Sequence, residues 1–510
     1  MFLHAGIEEY LLFPVFLASA RPFCELFILR RLVQFGTIIQ TGKLSPFFSR
    51  PTGSAIFSGT GIANISFKCI LSISTISLLA ASVHISPALA GNSAATSADN
   101  INPPIGIKTV TPSGETGYRT PLAGEPYDTV IMGETVKIPP ADRNNVTAIT
   151  VGGELYAPKQ GKSVLTPLYA FYFKRVWATS RTRNTISIFV NDLEYDKSFG
   201  HLEFVTRLEN STIPEGEREI RKNREIRSSE VISGTATGSI GPGIRYRVAP
   251  FQTDNDFRLQ LLARAGYFYA EKGKNTTDDV LLPPDTMIYG LRLRGRYDGL
   301  HRNLLELPHQ GGAAGFDFDY MHRDKWSDFG RYPDGIKRWS ETRDYMQYSG
   351  YLTIATGLPG LSEKNRIILS LNGGVAPLKS VDRYNAVRIV GGPHPAESDD
   401  ISRPYYPGAR YDSALVADYL LAGLRYRREF LPFLYISVGE TFIHAEKGTV
   451  SGKSGKELLF RWKNGAATTI GIDTGFLWDS SLYLGYSWDT GFIRDGRGGS
   501  SFIMTWNKSL

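Results

Sequence analysis

Cysteine is almost absent. Cys24 and Cys69 are the only two in 510 residues, and both lie ahead of Gly91. The chain from Gly91 onward therefore has no disulfide framework, no thiolate metal site and no thiol nucleophile. Histidine is sparse and scattered, eight in all. No H-E-x-x-H pair and no G-x-S-x-G elbow occurs, so neither a zinc site nor a hydrolase nucleophile is signalled, and neither cofactor nor metal is expected. Charge of one sign is not in excess either. The whole chain carries +7; setting aside residues 1–90, with six basic and three acidic residues, leaves +4, too little for a nucleic-acid footprint. Methionine is missing between Met1 and Met132. The apolar run from Cys69 to Val83 is shorter than the roughly 18 residues a membrane-spanning helix needs.

That run nevertheless has a purpose. Lys68 precedes it, and His84-Ile-Ser-Pro-Ala-Leu-Ala90 follows, so the segment reads as a secretory signal cleaved before Gly91. The alternative reading is a buried helix. Residues 1–60 are apolar and irregular, which points to a true start at a non-Met codon near residue 60. Residues 1–90 are thus expected to be an N-terminal extension plus signal peptide. Residues 91–145 are rich in Pro, Gly, Ser and Thr without periodicity, as in a flexible linker or leader.

From residue 146 to 510 the dominant pattern is alternation. In Met287-Ile-Tyr-Gly-Leu-Arg-Leu-Arg-Gly-Arg-Tyr297, one parity holds Met287, Tyr289, Leu291, Leu293 and Tyr297, and the other holds Arg292, Arg294 and Arg296. Phe257 to Tyr269, Ala314 to Tyr320, Ile470 to Trp478 and Phe502 to Trp506 alternate in the same way. About sixteen strands can be counted, with 500–507 as a seventeenth, among them 183–193, 228–237 and 240–250 as a pair, and 456–463 and 466–478 as another. Many reach the roughly 9–11 residues that cross a bilayer, against about 5–6 for a soluble sandwich. The oily parity often ends in Tyr or Trp, and the other parity is too polar for a dry core. The expected fold is all-β, a transmembrane antiparallel β-barrel of about 16 strands, oily outside and polar around its lumen. A secreted soluble β protein is the alternative.

Three stretches carry a family resemblance: Tyr297 to Tyr320 (YDGLHRNLLELPHQGGAAGFDFDY), Arg388 to Pro395 (RIVGGPHP) with Pro407 to Phe442, and the closing LGYSWDTGFIRDGRGGSSFIMTW. Together they resemble the surface-antigen barrel of the BamA/TamA superfamily, over residues 145–510. The long interval 377–413 falls where that barrel carries its lumen-entering loop. The family's Arg-Gly-Phe/Tyr loop motif is absent; Pro407-Gly-Ala-Arg-Tyr411 is the nearest text, so the arginine's role is not carried over. Residues 91–145 are too short for a POTRA domain, and the chain ends in Leu510 where many such barrels end in Phe. The resemblance implies insertion, translocation or assembly of outer-membrane or surface components. A passive pore is the alternative, and a surface or structural barrel whose long loops bind a partner is a third.

Several motif-like stretches carry no chemistry. Gly448 to Ser454 is one residue short of a phosphate loop and precedes a strand. His322-Arg-Asp324 and Asp328-Phe-Gly330 imitate kinase motifs without the rest of the set. His201, His322 and His444 sit at strand ends, where an interfacial polar residue is the plainer reading. No enzymatic activity is expected. The candidate lumen-lining residues are Arg292, Arg294, Arg296, Asp317 and Asp319, either tuning passage or paired with one another. The candidate long-loop residues are Arg388, Gly391, Gly392, Gly408 and Arg410. The expected surroundings are outer-membrane lipid and other envelope proteins, around a monomeric barrel without nucleic acid.

Overall fold

The computed structural model describes residues 118–510 apart from 132, 139, 160–162, 189, 213–216, 222–223, 253, 279, 328, 332–341, 379, 392–401, 409–413, 451–457, 477–479 and 494–497. The expected signal segment, its cleavage point and the leader up to residue 117 lie outside the described residues, as do Gly392 and Arg410.

Sixteen antiparallel strands close into one barrel. They are β1 (Asn145–Pro158), β2 (Val164–Val176), β3 (Ser180–Ser187), β4 (Val190–Phe199), β5 (Leu202–Thr212), β6 (Arg224–Arg247), β7 (Asp256–Lys272) and β8 (Thr286–Asp298), followed by β9 (Pro308–Arg323), β10 (Asp344–Gly357), β11 (Asn365–Val375), β12 (Ala414–Leu431), β13 (Leu434–Val450), β14 (Leu458–Phe476), β15 (Ser480–Asp489) and β16 (Gly499–Ser509). Each pairs with the next, and β16 pairs with β1 in register from Gly499↔Pro158 to Ser509↔Ala148. Closure leaves no free edge, which in lipid would expose a row of unpaired backbone groups.

The alternation in the sequence sorts side chains across this wall as a bilayer requires. On β8, Met287, Tyr289 and Leu291 are about half exposed, while Arg294 on the opposite parity is 3% exposed. On β16, Phe502, Met504 and Trp506 face out, and Ser501 and Thr505 face in. Among the described residues nothing buries these outward side chains, so an apolar solvent is what rewards their exposure. An arginine placed at Leu291 is accordingly expected to cost up to about 2–4 kcal/mol of folding free energy. Urea titration of the variant refolded into lipid vesicles measures it, and an unchanged midpoint would mean that Leu291 does not meet lipid.

Three strand boundaries differ from the sequence reading, each for a local reason. The stretch 183–193 is two strands, because the turn between β3 and β4 contains neither Gly nor Pro. Side chains hold it instead: Ser187 Oγ donates to the Val190 carbonyl at 2.6 Å, and Asn191 Oδ1 accepts from the Ser187 amide at 3.1 Å. The stretches 228–237 and 240–250 are one strand, β6. The ladder to β7 lapses at Gly241 and Pro242 and resumes in the same register, so the proline interrupts pairing without turning the chain. The stretches 456–463 and 466–478 are also one strand, β14. A Cβ on Gly465 would stand 2.4 Å from Phe492 Cβ and 3.0 Å from Tyr406 Oη, so this glycine serves close packing and not a turn. Two merges and one split bring the barrel to sixteen.

Both termini of an even-stranded barrel emerge at one end. There, residues 118–143 run along the mouth. Thr120 Oγ1 donates to Glu429 Oε2 at 2.8 Å, the Thr120 amide to Glu363 Oε2 at 3.0 Å, and the Ala123 amide to the Arg302 carbonyl at 2.9 Å. Arg143 grips Glu306 through two 2.8 Å hydrogen bonds. Within this segment a hairpin pairs Tyr127–Ile131 with Glu134–Ile138. At the opposite end, the β7–β8, β9–β10 and β11–β12 loops pack together. Trp326, Phe329 and Tyr384 cluster over the inward-facing Phe268 and Ile288, and Arg323, 2% exposed, is bound to the fully buried Asp382.

Candidate functional site: the occupied lumen

Two different devices occupy the inner face of the barrel, one on each side. The first is an ion-pair lattice spanning β3 to β9. It depends on β6, whose inward parity reads Ser233, Thr235, Thr237, Ser239, Gly241 and Gly243. These short residues leave room above the strand, so long side chains from β4 and β5 reach over it to meet those from β7 and β8. Gln260 of β7 donates to Glu203 of β5 at 2.7 Å directly above Gly243, which pairs with both. Arg264 and Arg292 both reach Glu209 of β5, at 3.4 Å and 3.1 Å. Glu194 of β4 is the centre: Arg294 lies at 2.9 Å, Arg258 at 3.4 Å, Arg181 at 3.5 Å and Arg207 at 3.9 Å. Its side chain is 1% exposed. Glu194, Glu209, Asp196, Asp256 and Asp319 each serve two or more guanidiniums, the arrangement in which charge can be buried at tolerable cost.

The five lumen candidates from the sequence all face inward within this lattice. Arg292 Nε donates to Asp319 Oδ1 at 2.7 Å, and Arg296 is bound to Asp317. Arg294 turns away from both aspartates to Glu194. Glu194, Glu209, Arg207 and Arg258 complete the lattice and were not singled out by sequence. The signal for them is parity on neighbouring strands, which only the register makes usable.

The second device is the β11–β12 connection. Val387–Ile389, containing the candidate Arg388, pairs with Ala414–Val416 at the head of β12. After Gly391, which is buried, the described chain resumes at Ser402, where Tyr405 bridges back to Val390. Residues 403–408 lie inside the barrel. Tyr406 is fully buried and donates to Asp489 Oδ1 at 2.8 Å. Gly408, with φ +79°, sits where an added Cβ would lie 3.6 Å from Ser487 Oγ and 3.8 Å from Ser501 Oγ, both on the lumen face of β15 and β16. Arg403 and Tyr405 line a cavity with Thr353, Ser370 and Thr441 of the facing wall. Arg403, Tyr405 and Tyr406 belong to an aperiodic loop and were invisible to strand counting.

At the terminal mouth, the leader's contacts are electrostatic as well as geometric. Burial alone would raise the Asp254 carboxyl, but Lys174 at 2.8 Å and Arg143 hold it well below the usual carboxylate range. Burial and the hydrogen bond to Glu429 push the Tyr118 phenol well above its ordinary value, so it stays a donor. Of the three histidines expected at strand ends, His201 lies in the β4–β5 turn and stacks on Tyr246, His322 is next to last in β9 with Nδ1 2.6 Å from Asp344, and His444 lies instead within β13, where it stacks on Trp462. Among the described residues, no group of three His, Cys, Asp or Glu side chains is placed to hold a metal ion.

No family model and no curated protein sequence matches this chain. Solved structures do resemble it. The BamA of Haemophilus ducreyi lacking POTRA domains 1-3 aligns at 11% identity and a TM-score of 0.46, covering 76% of this chain and 75% of that one. CdiB from Acinetobacter baumannii aligns at 10% and 0.41, covering 76% and 66%. The toluene transporter TodX of Pseudomonas putida aligns at 10% and 0.29, covering 72% and 90%.

Proposed function

We propose that this chain is a bacterial outer-membrane protein, a monomeric barrel that takes part in insertion, translocation or assembly of outer-membrane or surface components, and that it is not a standing pore. The apolar outward band supports residence in a bilayer, and a closed barrel of this kind belongs in the outer membrane. The observation that carries the functional reading is residues 403–408 seated inside the lumen against β15 and β16. A porin holds a water-filled channel, whereas other barrels are plugged by loops. Here one half is bridged by ion pairs and the other is occupied by a loop, while the leader lies along the terminal mouth. Such a barrel conducts only when something moves, which suits a transient passage of cargo. On this reading the protein's partners are envelope components and lipid, and it performs no catalysis.

Planar-bilayer conductance tests the reading. The intact protein is expected to give low, flickering conductance, and a variant in which 391–410 is replaced by a short Gly-Ser linker is expected to give a steady channel several-fold larger. A steady channel of equal size in both would mean a standing pore, in which Arg292, Arg294 and Arg296 tune passage. Unchanged conductance on deletion, with loss of function in the cell, would point to a loop that binds an external partner.

A further inference from the structure

The cavity beside the inserted loop has the composition of a ligand site. It is a partly open recess between residues 403–405 and the inner faces of β10 to β14. Two neighbouring rungs of the wall form it. One runs Thr353, Ser370, Gly423, Thr441, and the next runs Ile368, Arg425, Gly439, Thr469. Gly423 and Gly439 stand where a side chain would otherwise fill the lumen, and hydroxyl groups surround the gap they leave. The lining is mainly apolar, with the hydroxyls as the few placed polar groups that orient a ligand.

Three further observations point to an occupant. Arg425 lines the cavity with no carboxylate among the described residues within ion-pair distance, and Asp473 of β14 acts on it only from further off, whereas Arg258, Arg264, Arg292, Arg294 and Arg296 of the opposite half each hold a direct ion pair. Asn372, 6% exposed, and Thr469, 5% exposed, also line the cavity, and Asn372 Oδ1 and Thr469 Oγ1 have no hydrogen-bond partner among the described residues. Buried polar atoms are ordinarily satisfied, so a cavity wall with two such atoms and a guanidinium without a direct carboxylate contact suits a partner carrying both hydroxyls and negative charge. Tyr405 adds an aromatic edge of the kind against which a sugar ring packs.

We infer that this recess binds an anionic saccharide, a sugar bearing phosphate or carboxylate, with Arg425 holding the charge and Thr353, Ser370, Thr441 and Thr469 meeting the ring hydroxyls. The same chemistry is available from a free solute or from the sugar end of a lipid. The test is isothermal titration of the full-length protein in detergent with glucose 6-phosphate, with glucose and inorganic phosphate as controls, and separately with micelles of a phosphorylated glucosamine lipid. Saturable binding of glucose 6-phosphate, at least tenfold weaker in Arg425→Gln, is expected and identifies a free solute. Arg425-dependent binding of the lipid alone identifies the headgroup. Gly439→Val is the second variant: its Cβ would lie 3.3 Å from the Leu424 carbonyl oxygen, close enough to fold with a small adjustment while filling the recess. Binding that neither substitution weakens, or no binding of either probe, overturns the site. Conductance does not enter this test, so its outcome is independent of whether the lumen opens for cargo.

Discussion

Glu194→Gln is expected to lower the barrel's unfolding free energy by about 3–5 kcal/mol, the range found when one partner of a buried ion pair is removed. The size follows from what Arg294 is left with. Arg258 retains Asp256 at 2.8 Å, Arg207 retains Asp192 at 2.7 Å, and Arg181 retains Asp196. Arg294 is 3% exposed, and its one ion pair among the described residues is with Glu194. With the carboxylate gone, a guanidinium remains in the protein interior beside three others, where repulsion adds to the lost hydrogen bond. The reciprocal change, Arg294→Met, leaves Glu194 with three guanidiniums and should cost clearly less. In the double variant much of the loss should be recovered, giving a coupling energy in the double-mutant cycle. The readout is the urea midpoint at which the unboiled, fast-migrating band on a gel is lost. Equal losses in the two single variants, with no coupling, would mean that the lattice is a set of independent contacts. Because these groups are buried, added salt should shift the midpoint little.

Much of this lattice could be read in the sequence, and the reason it could not be read fully is physical. Strand periodicity fixes the face on which a residue lies, so Arg292, Arg294, Arg296, Asp317 and Asp319 could be assigned to one side of the wall. It does not fix which strands stand close enough to share a charge. Arg292 pairs on its neighbour β9, but Arg294 crosses three strands to β4 because β6 between them is lined by Ser, Thr and Gly. That crossing depends on the small residues being in register with the large ones, a tertiary property. Turn recognition failed in the same way. Ser187 and Asn191 make a turn with side-chain hydrogen bonds that no Gly or Pro announces, while the Asn464-Gly465 pair, which looks like a hairpin turn, lies in mid-strand under Phe492. The loop interval 377–413 was visible as a gap in periodicity. Its inward path was implied by the family resemblance and not by periodicity, since Tyr406 is held by Asp489 and Gly408 lies beside the serines of β15 and β16, all remote in sequence.

Gly152→Val is expected to prevent closure of the barrel, whereas Gly153→Ala is expected to leave it intact. The two glycines are adjacent on β1, at the seam with β16, and face opposite ways. A Cβ on Gly152 would stand 2.1 Å from the Met504 carbonyl oxygen and 2.9 Å from Thr505 Cα. Both are backbone atoms, so no rotamer change relieves the clash, and the strands must separate or shift. A one-residue shift would turn every side chain of β1 to the wrong face, placing Glu154 in lipid and Leu155 in the lumen. Separation would instead strip the hydrogen bonds around Thr505↔Gly152 and open an edge that lipid cannot satisfy. Gly153, by contrast, has the Thr166 carbonyl oxygen at 3.4 Å and Leu165 Cδ1 at 3.6 Å as its nearest neighbours, ordinary contact distances for a methyl group. The unboiled Gly152→Val protein should therefore migrate like the boiled one and be cleaved by added protease, while Gly153→Ala keeps the fast-migrating, protected form. If Gly152→Val folds as well as the parent chain, β1 and β16 do not meet in this register. A seam that accommodates the extra methyls would have to be loosely zipped, and the barrel would then be one that can part between its first and last strands.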